Sequence, residues 1–168
     1  HHCDSSEAYY AHTPGLTVVS PSTPQEAYSL LRAAIASPDP VVFMEPKKLY
    51  WSKGPVDTSI TAELGRAAIA REGSDVTLIA YGPSVQVAME AAAVAAEDGR
   101  SVQVVDVRTL TPFDDETVIA AVRSTGRAVV ISEAPGYASV ASEIQARVSE
   151  QCFEYLEAPV RRVTGFDI

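Results

Sequence analysis

Asp75-Val-Thr-Leu-Ile-Ala-Tyr81-Gly82-Pro83-Ser84 is the stretch whose reading decides the fold. This short, mostly apolar run reads as a strand that ends at Gly82-Pro83. After it, Ser84 is placed to cap a long helix from Val85 to about Asp98, which Gly99 ends. Ser101-Val-Gln-Val-Val-Asp-Val107 reads as the next strand, and Thr111-Pro-Phe-Asp-Asp115 leads into a helix through Arg123 that Gly126 terminates. Arg127-Ala-Val-Val-Ile-Ser132 is a third strand. A helix follows from about Ser139 to Leu156, with Val140, Ile144, Val148 and Phe153 on one face, and Pro159-Val-Arg-Arg-Val163 is a fourth strand. Strands alternating with helices across short loops predict an α/β fold, doubly wound and mostly parallel, with right-handed crossovers.

Working toward the N-terminus, Tyr50 to about Gly73 is turn-rich and reads as a connector, with one strand near Ala67-Ala-Ile-Ala70. Before it, Leu16-Thr-Val-Val-Ser20 is a β-branched strand. Residues 24–36 form an amphipathic helix with Ala27, Leu30, Leu31, Ala34 and Ile35 on its apolar face. Val41-Val-Phe-Met-Glu45 is expected to be a strand buried on both faces, which makes strand, helix and strand one βαβ unit. Ahead of it, Ser5 or Ser6 is placed to cap a short helix through Ala11, with Glu7 in its first turn. A βαβ unit cannot bury both faces of two strands, so residues 1–50 read as the tail of a larger domain, 51–74 as a connector and 75–168 as a second domain.

Composition narrows the function classes. The 168 residues carry a net charge of −9, which argues against nucleic acid and anionic membrane surfaces, because both call for clustered Lys and Arg. No apolar run approaches the roughly 20 residues of a membrane span. The two cysteines, Cys3 and Cys152, have no metal-ligand spacing and read as free thiols, and the cytoplasm is the default compartment. No Gly-x-Gly-x-x-Gly, phosphate loop, Gly-x-Ser-x-Gly or His-Glu-x-x-His occurs.

In an open α/β sheet, ligands sit beyond the carboxyl ends of the strands. The residues there are Gly82-Pro83-Ser84, Asp106 with Arg108, and Ser132-Glu133. Asp106 and Arg108 are expected to pair or brace a loop; Glu133 is open between a functional role and fixing the following turn. All three histidines, His1, His2 and His12, fall in one short N-terminal stretch. With Cys3, Asp4 and Glu7 they fit no standard metal site, and acid–base work near neutral pH is the better functional reading. A purification-tag stump is the bland reading of His1-His2, although a tag is rarely followed at once by a helix–turn–strand signal.

Five motifs in order carry a resemblance. They are His1-His2 with Glu7-Ala-Tyr-Tyr-Ala-His12, Pro14-Gly-Leu16, Val18-Val19 and Pro21-Ser-Thr23; Phe43-Met-Glu-Pro-Lys-Lys-Leu-Tyr50; Asp106-Val-Arg-Thr-Leu-Thr-Pro-Phe-Asp114; Glu133-Ala-Pro135; and Glu157-Ala-Pro-Val-Arg-Arg-Val-Thr-Gly-Phe-Asp167. Together they resemble the β subunit of thiamine diphosphate-dependent 2-oxo acid dehydrogenases across essentially the whole chain. The resemblance implies the tail of a pyrimidine-binding domain followed by a transketolase C-terminal-like domain. It also implies an α2β2 heterotetramer with an α subunit and a second β subunit, and a lipoyl-bearing acyltransferase core as partner. Thiamine diphosphate with Mg2+ would be held mainly by the α subunit, and the β-subunit glutamate that meets the aminopyrimidine ring would lie upstream of residue 1. His2 would be the active-site histidine facing the cofactor and the lipoyl group, with His1 beside it. Potassium would be bound through the backbone carbonyls of Ala34, Ile35, Ser37 and Asp39.

Two positions depart from the family pattern: Ser132 stands where a histidine is usual, and Tyr137-Ala-Ser-Val140 replaces a glycine-rich run. The chain is expected to be part of a longer subunit, inactive alone. His1-His2, Glu45-Pro-Lys47 and the Cys152-Phe153 to Pro159 segment lean toward the branched-chain enzyme over the pyruvate enzyme. A non-catalytic assembly module, and a transketolase or deoxyxylulose-phosphate synthase, are the other readings. The compartment would be bacterial cytoplasm, or the mitochondrial matrix in a eukaryote.

Overall fold

In the computed structural model, which describes residues 5–166, each strand and helix of the predicted alternation is present. The first part holds α1 (Glu7–Ala11), β1 (Thr17–Val19), α2 (Pro24–Ala36) and β2 (Val41–Phe43), then a single 3-10 turn at Lys47–Leu49. The second holds β3 (Ala68–Arg71), β4 (Val76–Ala80), α3 (Ser84–Glu97), β5 (Val102–Asp106), β6 (Thr109–Thr111), α4 (Asp115–Thr125), β7 (Ala128–Pro135), α5 (Val140–Gln151) and β8 (Arg161–Gly165).

Five strands form one sheet in the order β3-β5-β4-β7-β8, all parallel except β3, which runs antiparallel to β5 at the edge. Successive side chains of a strand point to opposite faces, and β4 shows both faces covered. Leu78 and Ala80 pack with Val85, Ala88 and Ala92 of α3, whereas Ile79 packs with Val118 and Val122 of α4 and Ile144 and Val148 of α5. This two-sided burial is why the strand reads as a continuous apolar run. No helix among the described residues is long and apolar enough to cross a membrane.

The caps follow local chemistry. Thr23, Asp114 and Ser139 accept hydrogen bonds from Glu26, Thr117 and Ser142 backbone N–H groups and so start α2, α4 and α5. Gly126 ends α4 at φ 67°, a left-handed conformation that costs a residue with a Cβ.

Several expectations need correction. Ser84 is the first helical residue of α3 and caps nothing; Pro83 occupies the cap position without a side-chain hydrogen bond. Ser6 sits at the start of α1 but its hydroxyl makes no cap bond. α5 stops at Gln151, so Cys152 fills the core position and Phe153 is 79% exposed. The stripe on α2 is incompletely covered: Leu30 is fully buried, but Ile35 is 78% exposed.

The unit β1-α2-β2 is present, with β1 and β2 parallel. β2 is only half-buried, however, not enclosed on both faces, because it is an outer strand of a three-stranded sheet in the order β2-β1-β6. The third strand, Thr109–Thr111, comes from the far side of β5 and pairs antiparallel with β1. Residues distant in sequence thus share one sheet, and the two parts of the chain are joined through it.

Candidate functional site

The carboxyl ends of β1, β2 and β4, together with the far end of β7, converge below α1. Ser20 follows β1, Glu45 and Pro46 follow β2, Pro83 follows β4, and Glu133 lies in the last part of β7. With Ser5, Ser6 and Glu7 from the α1 region and Lys47 from the 3-10 turn, they line a cavity of about 370 Å³. Its position is the one an open α/β sheet offers to ligands. The wall is tight where Ser20 meets Gly82: a Cβ on Gly82 would stand 2.6 Å from the Ser20 hydroxyl oxygen, and Gly82 has φ 53°. Both the close approach and the backbone conformation therefore call for glycine.

The electrostatics of this cavity are acidic. Glu7, Glu45 and Glu133 line it with one cation, Lys47. The Oε2 atom of Glu7 is buried with no hydrogen-bond partner among the described residues. Burial pushes the Glu7 carboxyl above its ordinary range, its own backbone N–H pulls it back in part, and the nearby Glu133 charge pushes it further up. Glu45 accepts a hydrogen bond from the Tyr50 hydroxyl at 2.9 Å. Under the wall, the Tyr81 hydroxyl and Ser132 Oγ lie 2.8 Å apart, and Ser132 Oγ also accepts from the Ala134 N–H at 3.2 Å. Burial, and more weakly the charges of Glu7 and Glu133, raise the Tyr81 phenol well above its ordinary range, so it stays a neutral hydroxyl.

Asp106 and Arg108 form a second locus, at the end of β5. They brace a loop as expected, but not by pairing their charges. Asp106 accepts a short hydrogen bond from Ser22 and another from the Arg108 backbone N–H at 3.0 Å. The Arg108 guanidinium turns away to the Arg66 and Ala67 carbonyls, at 2.9 and 3.0 Å, and to Glu26 at 3.4 Å.

The sequence-derived site residues fare unevenly. His1 and His2, like Cys3, lie outside the described residues. His12 is exposed at the end of α1 and lines a different cavity of about 520 Å³, with Leu110 and Phe113 beside β6 and Glu143 and Arg147 on α5. The turn after α1 is held by Thr13, whose hydroxyl donates to the Tyr9 carbonyl at 3.1 Å and whose N–H donates to Tyr10. Ala34, Ile35, Ser37 and Asp39 are together at the C-terminal end of α2, where helix carbonyls lack intrahelical donors. The Ala34 carbonyl accepts the Ser37 N–H at 3.3 Å, and the Asp39 carbonyl accepts the Ser37 hydroxyl at 3.2 Å. Among the described residues no group of His, Cys, Asp and Glu side chains could hold a metal ion. Cys152 is a buried free thiol, pushed up by burial.

Sequence reasoning weighed Glu7 as a first-turn carboxylate and as a neighbour of the histidine cluster, and did not single out Ser20, Tyr81 or Lys47 as site residues. The available signal was position: all but Glu7 stand within a few residues of a strand's carboxyl end.

Comparison with known proteins agrees with this architecture. The signature of "Transketolase, C-terminal domain" matches residues 65–168, and that of "Transketolase, pyrimidine binding domain" matches residues 1–52. The chain is 52% identical to the pyruvate dehydrogenase E1 component subunit beta of Leifsonia xyli subsp. xyli, over 99% of this chain and 50% of that protein. It is 47% identical to the 3-methyl-2-oxobutanoate dehydrogenase subunit beta of Mycobacterium tuberculosis, over 99% of this chain and 49% of that protein. The chain thus spans about half the length of the curated relatives it matches. Among solved structures, a split-gene transketolase described as an inactive beta4 tetramer superposes with a TM-score of 0.77 at 26% identity, covering 96% of this chain and 52% of that one.

Proposed function

From the premise that this chain belongs to the transketolase C-terminal domain family, we propose that it is part of the β subunit of a thiamine diphosphate-dependent 2-oxo acid dehydrogenase. The observation that carries the reading is the acidic cavity at the strand ends. Ser20 and Glu45 come to it from the segment matching the pyrimidine-binding domain, and Pro83 and Glu133 from the segment matching the C-terminal domain. A ligand there is held between the two.

The donor set decides which part of the cofactor fits. Glu45, Glu133 and Glu7 against the single ammonium of Lys47 disfavour a diphosphate. The cavity is therefore proposed to take the ring end of the cofactor, with the diphosphate and its Mg2+ held mainly by an α subunit. Thiamine diphosphate supplies the electron sink for decarboxylation when bound. For its part, the chain keeps the Glu7 carboxyl, raised by burial, placed to hold a proton at Oε2. His2, with His1 beside it, is proposed to face the cofactor and the incoming lipoyl group and to pass protons there. The carbonyls of Ala34, Ile35, Ser37 and Asp39 are proposed to take K+, a cation that prefers oxygen ligands.

The assembly proposed is an α2β2 heterotetramer that hands its acyl group to a lipoyl-bearing acyltransferase. The branched-chain substrate rests on His1-His2, Glu45-Pro-Lys47 and the Cys152 to Pro159 segment; the relative at 52% identity supports pyruvate instead. The test is purification of the native assembly containing this chain, with identification of its co-purifying subunit. It is then assayed with pyruvate and 3-methyl-2-oxobutanoate, with and without thiamine diphosphate. Cofactor-dependent turnover with the higher kcat/KM on the branched-chain acid is expected. A preference for pyruvate overturns the substrate assignment, and no turnover of either acid overturns the class.

A further inference from the structure

Asp106 ends β5 where the two sheets meet, and it is 3% exposed. Its Oδ2 takes the Ser22 hydroxyl from the segment that follows β1, across 84 residues of sequence. Its Oδ1 takes the Arg108 N–H. Arg108 is held at φ 56°, and in that conformation its carbonyl accepts the Ser20 N–H at 2.8 Å. One carboxyl thus grips the end of β1 twice, through Ser22 directly and through Arg108 to Ser20. Ser20 is the residue packed against Gly82 in the cavity wall.

We propose that Asp106 is a positioning residue: a protonation-dependent clamp that sets the end of β1 against the five-stranded sheet and thereby holds Ser20 in the cavity wall. The inference concerns how the cavity is held, not what it binds, so it stands apart from the reaction assigned above.

The surroundings fix the sign of the pH dependence. The strand neighbours of Asp106 are Ala80 on β4 and Ala68 on β3, which bring no charge. Glu26 on α2 and Glu90 on α3 line the same cleft of about 570 Å³. The Arg108 guanidinium is the nearby cation, engaged with Glu26. Burial pushes the Asp106 carboxyl up to about 7; the Ser22 hydroxyl and the Arg108 N–H and charge pull it back in part, while Glu26 opposes them. When the clamp opens to water, the carboxyl returns toward its ordinary value of 3.8. Between those two values the closed form holds one more proton than the open form. Opening therefore rises with pH, by up to about tenfold per unit, and levels off above the upper value.

Amide hydrogen exchange on the 168-residue chain tests this, with protection corrected for the intrinsic rate at each pH from 5 to 8. In the wild-type chain, protection of the Ser20 and Arg108 amides is expected to fall by up to about tenfold per unit and to level near neutrality. The Val104 and Val130 amides, inside the five-stranded sheet, should stay level. Asp106→Asn keeps an acceptor for Arg108 and a partner for Ser22 but does not titrate, so its Ser20 protection should be flat with pH. Ser22→Ala removes one grip and should lower Ser20 protection at every pH while keeping the slope. A flat wild-type profile overturns the proposal, as does an Asp106→Asn slope equal to wild type. So does a parallel fall at Val130, which would mean global unfolding.

Discussion

Tyr81 at the end of β4 and Ser132 in β7 share a buried hydrogen bond of 2.8 Å. The two residues sit on adjacent parallel strands, under the wall of the acidic cavity. The bond makes unequal demands on its partners. Ser132 has a second contact, from the Ala134 N–H; Tyr81 is 3% exposed, and Ser132 is the partner its hydroxyl finds there. Tyr81→Phe should therefore cost about 1 kcal/mol, the net value of one hydrogen bond, and Ser132→Ala about 1–3 kcal/mol, because it strands a buried hydroxyl. Urea unfolding of both variants checks the order; a larger loss in Tyr81→Phe than in Ser132→Ala would contradict it.

The core under α5 separates two apolar residues that a helical wheel places together. Ile144 is 1% exposed and Phe153 is 79% exposed. Ile144→Ala is expected to destabilise by about 2–5 kcal/mol through lost burial and the cavity left behind. Phe153→Ala should stay within about 0.5 kcal/mol of wild type, as surface substitutions do. Equal losses in thermal melts of the two variants would contradict the helix end at Gln151.

Glu7 makes a pH-dependent contribution of defined sign. Its folded carboxyl lies above the ordinary value of 4.5, chiefly through burial. The folded chain therefore keeps the proton at pH values where the unfolded chain has lost it. Stability from this group is complete below 4.5 and declines as pH rises until the folded carboxyl ionises. Asp106 acts in the same direction, so the informative quantity is the difference between wild type and Glu7→Gln. That difference should grow in favour of the glutamine variant from pH 4 upward and then level; a difference independent of pH would rule the effect out.

Within the native assembly, His2→Ala should reduce lipoamide acylation by roughly 10²–10⁴-fold, the range of a positioned acid–base group. His12 is exposed, and Thr13 holds the turn beside it, so His12→Ala should leave both acylation and melting temperature near wild type. The comparison uses both variants in the same α2β2 preparation. Near-normal acylation with a lowered melting temperature in His2→Ala would make His2 a structural residue.

What the sequence determined by itself was local. The run Val76–Ala80 is apolar at every position but Thr77 because α3 and α4 cover opposite faces of β4. A strand enclosed in that way is legible from its own residues. Helix starts were legible at Thr23, Asp114 and Ser139, whose side chains satisfy backbone donors three residues on. What only the tertiary structure decided was which distant residues meet. Thr109–Thr111 is too short to announce itself as a strand, and it became one because β1 offered an unpaired edge. Ser22 has no local mark that it would hold Asp106, nor Glu7 that it would lie beside Glu133. Each of those pairings depends on the order of strands in a sheet, and a carboxylate carries no periodic pattern from which its eventual neighbour could be read. The outer position of β2 is the same lesson in reverse: Val41–Phe43 is apolar enough for full enclosure, and strand order left it half-covered.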